Sequence, residues 1–334
     1  MQEAPEEATP SPTAAKLSPA AATPSRASVV AAFAAVYTIW GSTYLAIRFA
    51  IETIPPFLMA GVRFLIAGVV LYAWVRLRGA GRPPREAWKH ALVIGGLLLL
   101  GGNGAVVWAE QSVPSGIAAL LVASVPFWMV ILDWLRPGGA RPTLGVLAGL
   151  LFGFGGIALL VGPGELGGGG VPPLGAAVLV VGSFAWSVGS IYSRGVPHPE
   201  PPLLGTALEM LCGGALLVAF GLLTGEGARL ALDAVTLRSL LALLYLIVFG
   251  SLIGYSAYVF LLKVSTPARV STYAYVNPVV AVLLGWAFAG EPLTVRVLMA
   301  SAVIIGSVVV ITTARTGRER SRRERTAAAS ERAA

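Results

Sequence analysis

Apolar runs of roughly 18 residues or more, each closed by Pro, Gly or Arg, recur along nearly the whole chain. They fall at about 29–49, 57–77, 90–109, 114–135, 144–162, 174–194, 203–223, 238–261, 268–289 and 296–313. A helix rising about 1.5 Å per residue crosses a hydrocarbon core of about 30 Å in some 20 residues, so each run is long enough to span a bilayer. The alternation of polar and apolar residues that marks an outer-membrane strand is missing. The pattern predicts an all-α membrane protein with ten transmembrane helices.

Composition agrees. Of the 334 residues, 56% are hydrophobic and only 12% charged, and the mean hydropathy is +0.78, so long stretches lack the polar surface that water demands. Residues 1–28 are rich in Ala, Pro, Glu, Ser and Thr and read as a disordered cytoplasmic tail, without the basic start of a cleavable signal. Residues 314–334 form a basic cytoplasmic tail. If the N-terminus is cytoplasmic, the inside connections and tails hold nearly all the Lys and Arg, while the outside connections hold only Arg229, Arg238 and Arg296. That bias places both termini in the cytoplasm, with the chain multi-pass in the inner (plasma) membrane. It also absorbs the net charge of +8, so nucleic acid is not an expected partner. The cluster RTGRERSRRER at 315–325 reads as a stop-transfer flank or a contact to anionic lipid.

Little else points to chemistry of bond breaking. Cys212 is the sole thiol and His90 and His198 stand apart, so no metal site is expected. The chain has no GxxxxGK[ST] motif, no connection large enough to hold a nucleotide, and no nucleophile–base or paired-carboxylate constellation. Neither an enzyme nor a bound cofactor is expected, and any work the protein does must draw on a gradient.

Laid over itself, the chain repeats. Trp40 falls on Trp186, Arg48 on Arg194 and Pro55-Pro56 on Pro201-Pro202, all at an offset of 146. Further on, Pro114 falls on Pro267, Pro126 on Pro278 and Trp134 on Trp286. Two units follow, 29–162 and 172–313, each with five spans. An odd number makes the second unit enter the membrane inverted, and inverted repeats are characteristic of secondary transporters that alternate access to a midplane site. The other reading is a non-transporting membrane sensor or scaffold whose duplicated core serves structure alone.

The repeat gives the buried charges a relation. PPFLMAGVRFLIAG (55–68) lies over PPLLGTALEMLCGG (201–214), so Arg63 matches Glu209; likewise Glu110 matches Lys263. Each of Arg63 and Glu209 sits roughly 10 Å in from its own membrane face, and those faces are opposite, so separate placement on a shared cavity is expected rather than a direct bridge. Ionisable groups at such depth face protein or water, and function competes there with snorkelling or tying down loop carbonyls. Asn103 in GGNGAVVW (101–108), and Tyr273, Tyr275 and Asn277 before Pro278, add polar groups where glycine or proline weakens the helix. Trp40, Tyr44, Trp186, Tyr255 and Tyr258 offer aromatic walls for a small-molecule substrate, though each also suits packing or the interface. Gly145, Gly149 and Gly153 form a ladder for close helix contact.

WGSTYLAIRFAIETIPPFLMAGVRFLIAG (40–68), AEQSVPSGIAALLVASVPF (109–127) and TYAYVNPVVAVLLGWAFAGEPLT (272–294) closely resemble EamA-type members of the drug/metabolite transporter superfamily. The resemblance covers about residues 30–313. It implies ten helices in two inverted five-helix repeats, a central cavity lined mainly by spans one, three, four, six, eight and nine, and export or uptake of small metabolites such as amino acids, or of drugs. Small multidrug relatives couple to protons through an acid in their first helix. Span one here has none, which makes Glu209 the replacement candidate for coupling to protons.

Overall fold

The computed structural model describes residues 25–135, 141–161, 171–265, 267–270, 272–311 and 313, and among these every regular element is helical. Of the expected tails, 1–28 and 314–334, residues 1–24 and 314–334 and the side chain of Tyr275 lie outside the described residues, while 25–28 depart from the expectation: Ser25 caps a helix that already begins at Arg26. We label the principal helices α1 (Arg26–Ala50), α2 (Pro56–Leu77), α3 (Arg85–Ala109), α4 (Ser115–Val122 and Val125–Leu135), α5 (Leu144–Val161), α6 (Pro173–Gly195), α7 (Pro202–Leu223), α8 (Leu237–Val264), α9 (Tyr273–Ala289) and α10 (Val295–Ile311). Among the described residues seven helices are long and apolar enough to cross a membrane, and three shorter apolar helices accompany them within α5, α9 and α10.

The boundaries follow local chemistry. Pro56, Pro173 and Pro202 open α2, α6 and α7, where a missing N–H costs nothing. Ser25 and Thr236 cap α1 and α8 by accepting from Ser28 N and Ser239 N. The interiors are apolar on all sides, and large side chains such as Val69, Leu151, Val181 and Leu283 are exposed on the outside of the bundle. This is the arrangement of helices whose solvent is lipid.

Three features of the helices depart from simple apolar runs. α3 begins at Arg85, five residues before its apolar run, because the polar first turn still winds as helix. α3 and α8 each carry a π-helical stretch, Gly96–Asn103 and Leu246–Tyr255. α4 breaks at Ala123–Ser124, just ahead of Pro126, which has no N–H to offer the Val122 carbonyl. The matching Pro278 lies inside α9, which runs on through it, and the interruption there falls before Tyr273.

Helix α2 packs along α7 and α4 along α9; α1 lies against α8 and α9, and α6 against α3 and α4. Gly149 and Gly153 bring α5 against Ile311 of α10 and Phe127 of α4. Cross-links define two ends of the bundle. At the end we call distal, Ser239 Oγ donates to the Phe49 carbonyl and Arg48 Nη1 to the Glu110 carbonyl, both at 2.8 Å. At the other end, near Arg26 and Ile311, Tyr37 bonds Thr272 and His90 bonds Tyr192.

Two carboxylates fasten the distal end. The sequences GLLTGE (221–226) and GWAFAGE (285–291) each end a helix on a left-handed glycine, Gly225 at φ 79° and Gly290 at φ 64°, followed by glutamate. Glu226 accepts from Phe57 N and Leu58 N at 3.2 and 2.8 Å, capping α2. Glu291 accepts from Ser115 N and Gly116 N at 2.6 and 3.0 Å, capping α4. The negative charge meets the positive end of a helix whose first amides have no other partner. A Cβ on Gly285 would stand 2.3 Å from Glu291 Oε2, so only glycine leaves the carboxylate its place.

Candidate functional site

A cavity of about 70 Å³ lies among α1, α2, α3, α4, α6, α8 and α9. Seven of the ten residues singled out for substrate contact line it: Trp40, Tyr44, Arg63, Asn103, Trp186, Tyr255 and Tyr273. The π-helical stretches supply Gly102, Asn103, Gly250 and Tyr255 to its wall. A residue inserted into the helical turn re-aims the side chains beyond it, which is how both helices turn polar groups inward.

Arg63 is 3% exposed. Its Nε donates to Ser251 Oγ at 2.7 Å, its guanidinium carbon stands 4.6 Å from the centroid of the Phe64 ring, and Nη1 has no hydrogen-bond partner. Gly250 makes room for it, since a Cβ there would sit 2.7 Å from Nη2. Asn103 Oδ1 is also unpartnered. Two of the buried polar atoms on cavity residues therefore lack a partner, a cationic donor and a neutral acceptor.

The aromatic residues gather toward the end opposite the carboxylate caps. Trp40 contacts Trp186, Tyr258 and Tyr273 at centroid distances of 5.5, 4.9 and 5.5 Å. Tyr258 does not line the cavity; it stands behind these rings, accepting from Trp186 Nε1 at 2.9 Å and sharing a hydrogen bond with Ser190 at 2.8 Å. Asn277 is buried away from the cavity, with Oδ1 unpartnered.

Glu209 also lies outside the lining. Tyr255 OH donates to its Oε2 at 2.9 Å, while Oε1 has no partner, so a single cavity tyrosine separates it from the cavity. Among the described residues no ion pair joins Arg63 to Glu209. Both residues instead bond to α8, through Ser251 and Tyr255 four positions apart.

Several lining residues carry no signal in the sequence. Thr43, Val122, Val125 and Ser183 are small or apolar residues indistinguishable from packing residues. Ser251, which anchors Arg63, is one serine among many. Helix α2 enters the wall through Arg63 and Phe64, an addition to the six spans expected. A second cavity, of about 700 Å³, lies among α2, α3, α6 and α7 and shares Gly182 with the first. Its polar residues, Gln111, Thr224 and Arg229, lie in or beside the distal connections, and the rest of its wall is apolar or aromatic. That composition suits lipid tails, which leaves the smaller cavity as the site with directional chemistry.

Comparison with known proteins bears on the family and the fold. The profile of the EamA-like transporter family matches residues 27–162 and again 173–313. The chain is 43% identical over 279 residues to the uncharacterized inner membrane transporter YedA of Escherichia coli (strain K12), covering 83% of this chain and 88% of that protein. It is 25% identical over 280 residues to the uncharacterized transporter YvbV of Bacillus subtilis (strain 168), covering 84% and 90%. A solved crystal structure superposes with a TM-score of 0.61 at 23% identity, over 86% of this chain and 98% of that one, a likeness of fold. With matches over both segments, the chain belongs to the EamA-like transporter family.

Proposed function

We propose that the protein is a secondary active transporter that exports small zwitterionic metabolites of amino-acid type across the bacterial inner membrane by alternating access. The observation that carries this reading is the pairing of Arg63 and Asn103 on one aromatic-walled cavity, each with a polar atom lacking a partner. A guanidinium recognises a carboxylate and an amide oxygen accepts from an ammonium, so the two together suit the head of an amino acid. Trp40, Trp186 and Tyr273 offer a face to its side chain. At roughly 10–15 Å³ per water, the cavity of about 70 Å³ holds roughly five water-sized groups, which favours a small metabolite over a drug-like compound in this conformation.

The architecture we infer is ten crossings in two inverted five-helix repeats, 29–162 and 172–313, with both termini cytoplasmic. The packing supports it: exchanging each helix of the first five for its counterpart turns the α1 contacts with α8 and α9 into the α6 contacts with α3 and α4. The π-helical stretches of α3 and α8 occupy corresponding places. On this reading the cluster of Trp40, Trp186, Tyr258 and Tyr273 closes the cavity toward the cytoplasm, and its separation opens the inward state. Glu209, reached through Tyr255, is the proposed group for coupling to protons.

Flux of labelled amino acids and toxic analogues in proteoliposomes tests the proposal. Uptake that saturates and disappears in Arg63→Ala is expected. No flux with any solute, together with no resistance on overexpression, would contradict it and return the scaffold reading.

A further inference from the structure

Glu110, which ends α3 at the distal face, is wholly buried, and neither of its carboxyl oxygens has a hydrogen-bond partner. Among the described residues no basic group lies within ion-pair distance of it. The charged and titratable groups that act on it come from two neighbours: Tyr44 and Arg48 of α1, and Glu291 from the connection after α9. Arg48 Nη1 is committed to the backbone carbonyl of Glu110, at 2.8 Å, rather than to its carboxyl. A bare carboxylate in such a place has lost its hydration and gained no compensating partner, and Glu291, engaged on the α4 amides, adds repulsion.

The site does not suit a metal cation. Among the described residues no group of three or more acidic, histidine or cysteine side chains assembles anywhere, and a guanidinium stands beside this one. A proton needs no such ligand set.

We propose that Glu110 is a proton-binding site of the transport cycle, loaded in the conformation seen here and emptied when its carboxylate turns to Arg48. In the emptying step the carboxyl O–H bond breaks, the proton passes to a water entering at the distal end, and the electron pair stays on the oxygen. Arg48, already fastened to the carbonyl of the same residue, then holds the carboxylate by a charge-assisted hydrogen bond. Tyr44 links the site to the central cavity, since its side chain both lines the cavity and lies within electrostatic reach of Glu110. The site is one-sided. At the corresponding place near the other end, Arg194 Nη1 likewise donates to backbone carbonyls, those of Leu262 and Ser265, but the residue matching Glu110 is the exposed Lys263.

The inference rests on the transport reading but is tested without a substrate. Infrared difference spectra of the purified full chain, taken between acidic and alkaline buffer, report the carbonyl stretch of each carboxyl that loses a proton. A titrating band that is lost in Glu110→Gln and retained in Glu209→Gln is expected. An unchanged band in Glu110→Gln, or no titrating band in the unsubstituted protein, would overturn the assignment. Should Glu110→Gln fail to accumulate, Arg48→Gln supplies the second arm: the midpoint of the band moves to higher pH, and an unmoved midpoint overturns the proposal. Titration without flux would remove the transport reading and leave the site, whereas flux without titration would do the reverse.

Discussion

Arg63 is the residue on which the account turns. It is held by one bond to Ser251, one ring face and one glycine, and each support has a different chemical demand. Lysine at this position keeps the charge but gives up the fork that anchors on Ser251 while presenting a second nitrogen. Arg63→Lys is therefore expected to reduce flux of a zwitterionic solute by about tenfold or more, corresponding to about 1.4 kcal/mol, with membrane levels of the protein unchanged. Equal flux in Arg63→Lys and the unsubstituted chain would show that only charge matters. For Glu209, replacement by Gln is expected to abolish uptake driven by a pH gradient and to spare exchange of one substrate molecule for another; retained gradient-driven uptake would remove it from coupling. The sequence made these residues visible because a charge or a large aromatic inside an apolar run breaks the pattern. Ser251 and Gly250, which hold Arg63 in place, break no pattern, since serine and glycine are also ordinary packing residues of membrane helices.

At the scale of the element, proline and glycine punctuation made nearly every helix boundary legible to within a few residues. The π-helical stretches were not legible, because an inserted residue leaves composition and hydropathy unchanged and shows only in the hydrogen-bond pattern. The carboxylate caps were half legible. A Gly-Glu pair marks the end of α9, but Glu291 by position suggests an ordinary span-end cap or loop contact, and the earlier pair at 225–226 draws no notice alone. Only the fold shows that each glutamate reaches back to a helix of the first half. Removing either carboxylate leaves two helix-terminal amides unsatisfied at the bundle end. Glu226→Ala and Glu291→Ala are each expected to lower stability in detergent by about 2 kcal/mol, read as a fall in the thermal midpoint. Gly285→Ala, whose methyl would meet Glu291 Oε2, shifts the midpoint in the same direction. Midpoints unchanged in all three would mean that these bonds are replaced by water without loss.

For the whole molecule, the repeat at an offset of 146 bears on the proposed function more than any single motif, because on the proposed reading each unit has five spans, and an odd number would place corresponding residues at opposite faces. It predicts an orientation that labelling can read. With Cys212 replaced by Ala, single cysteines placed in the 78–84 connection are expected to react only from the cytoplasmic side, and those in the 224–236 connection only from outside. Reaction of both from one side would contradict the inverted arrangement. The function itself rests on whether one cavity takes a solute through Arg63. Counterflow measures this most directly: proteoliposomes preloaded with an unlabelled amino acid are expected to accumulate the labelled one transiently, and to lose that overshoot in Arg63→Ala while the protein stays folded in the membrane. An overshoot of equal size in the Arg63→Ala vesicles would contradict the account.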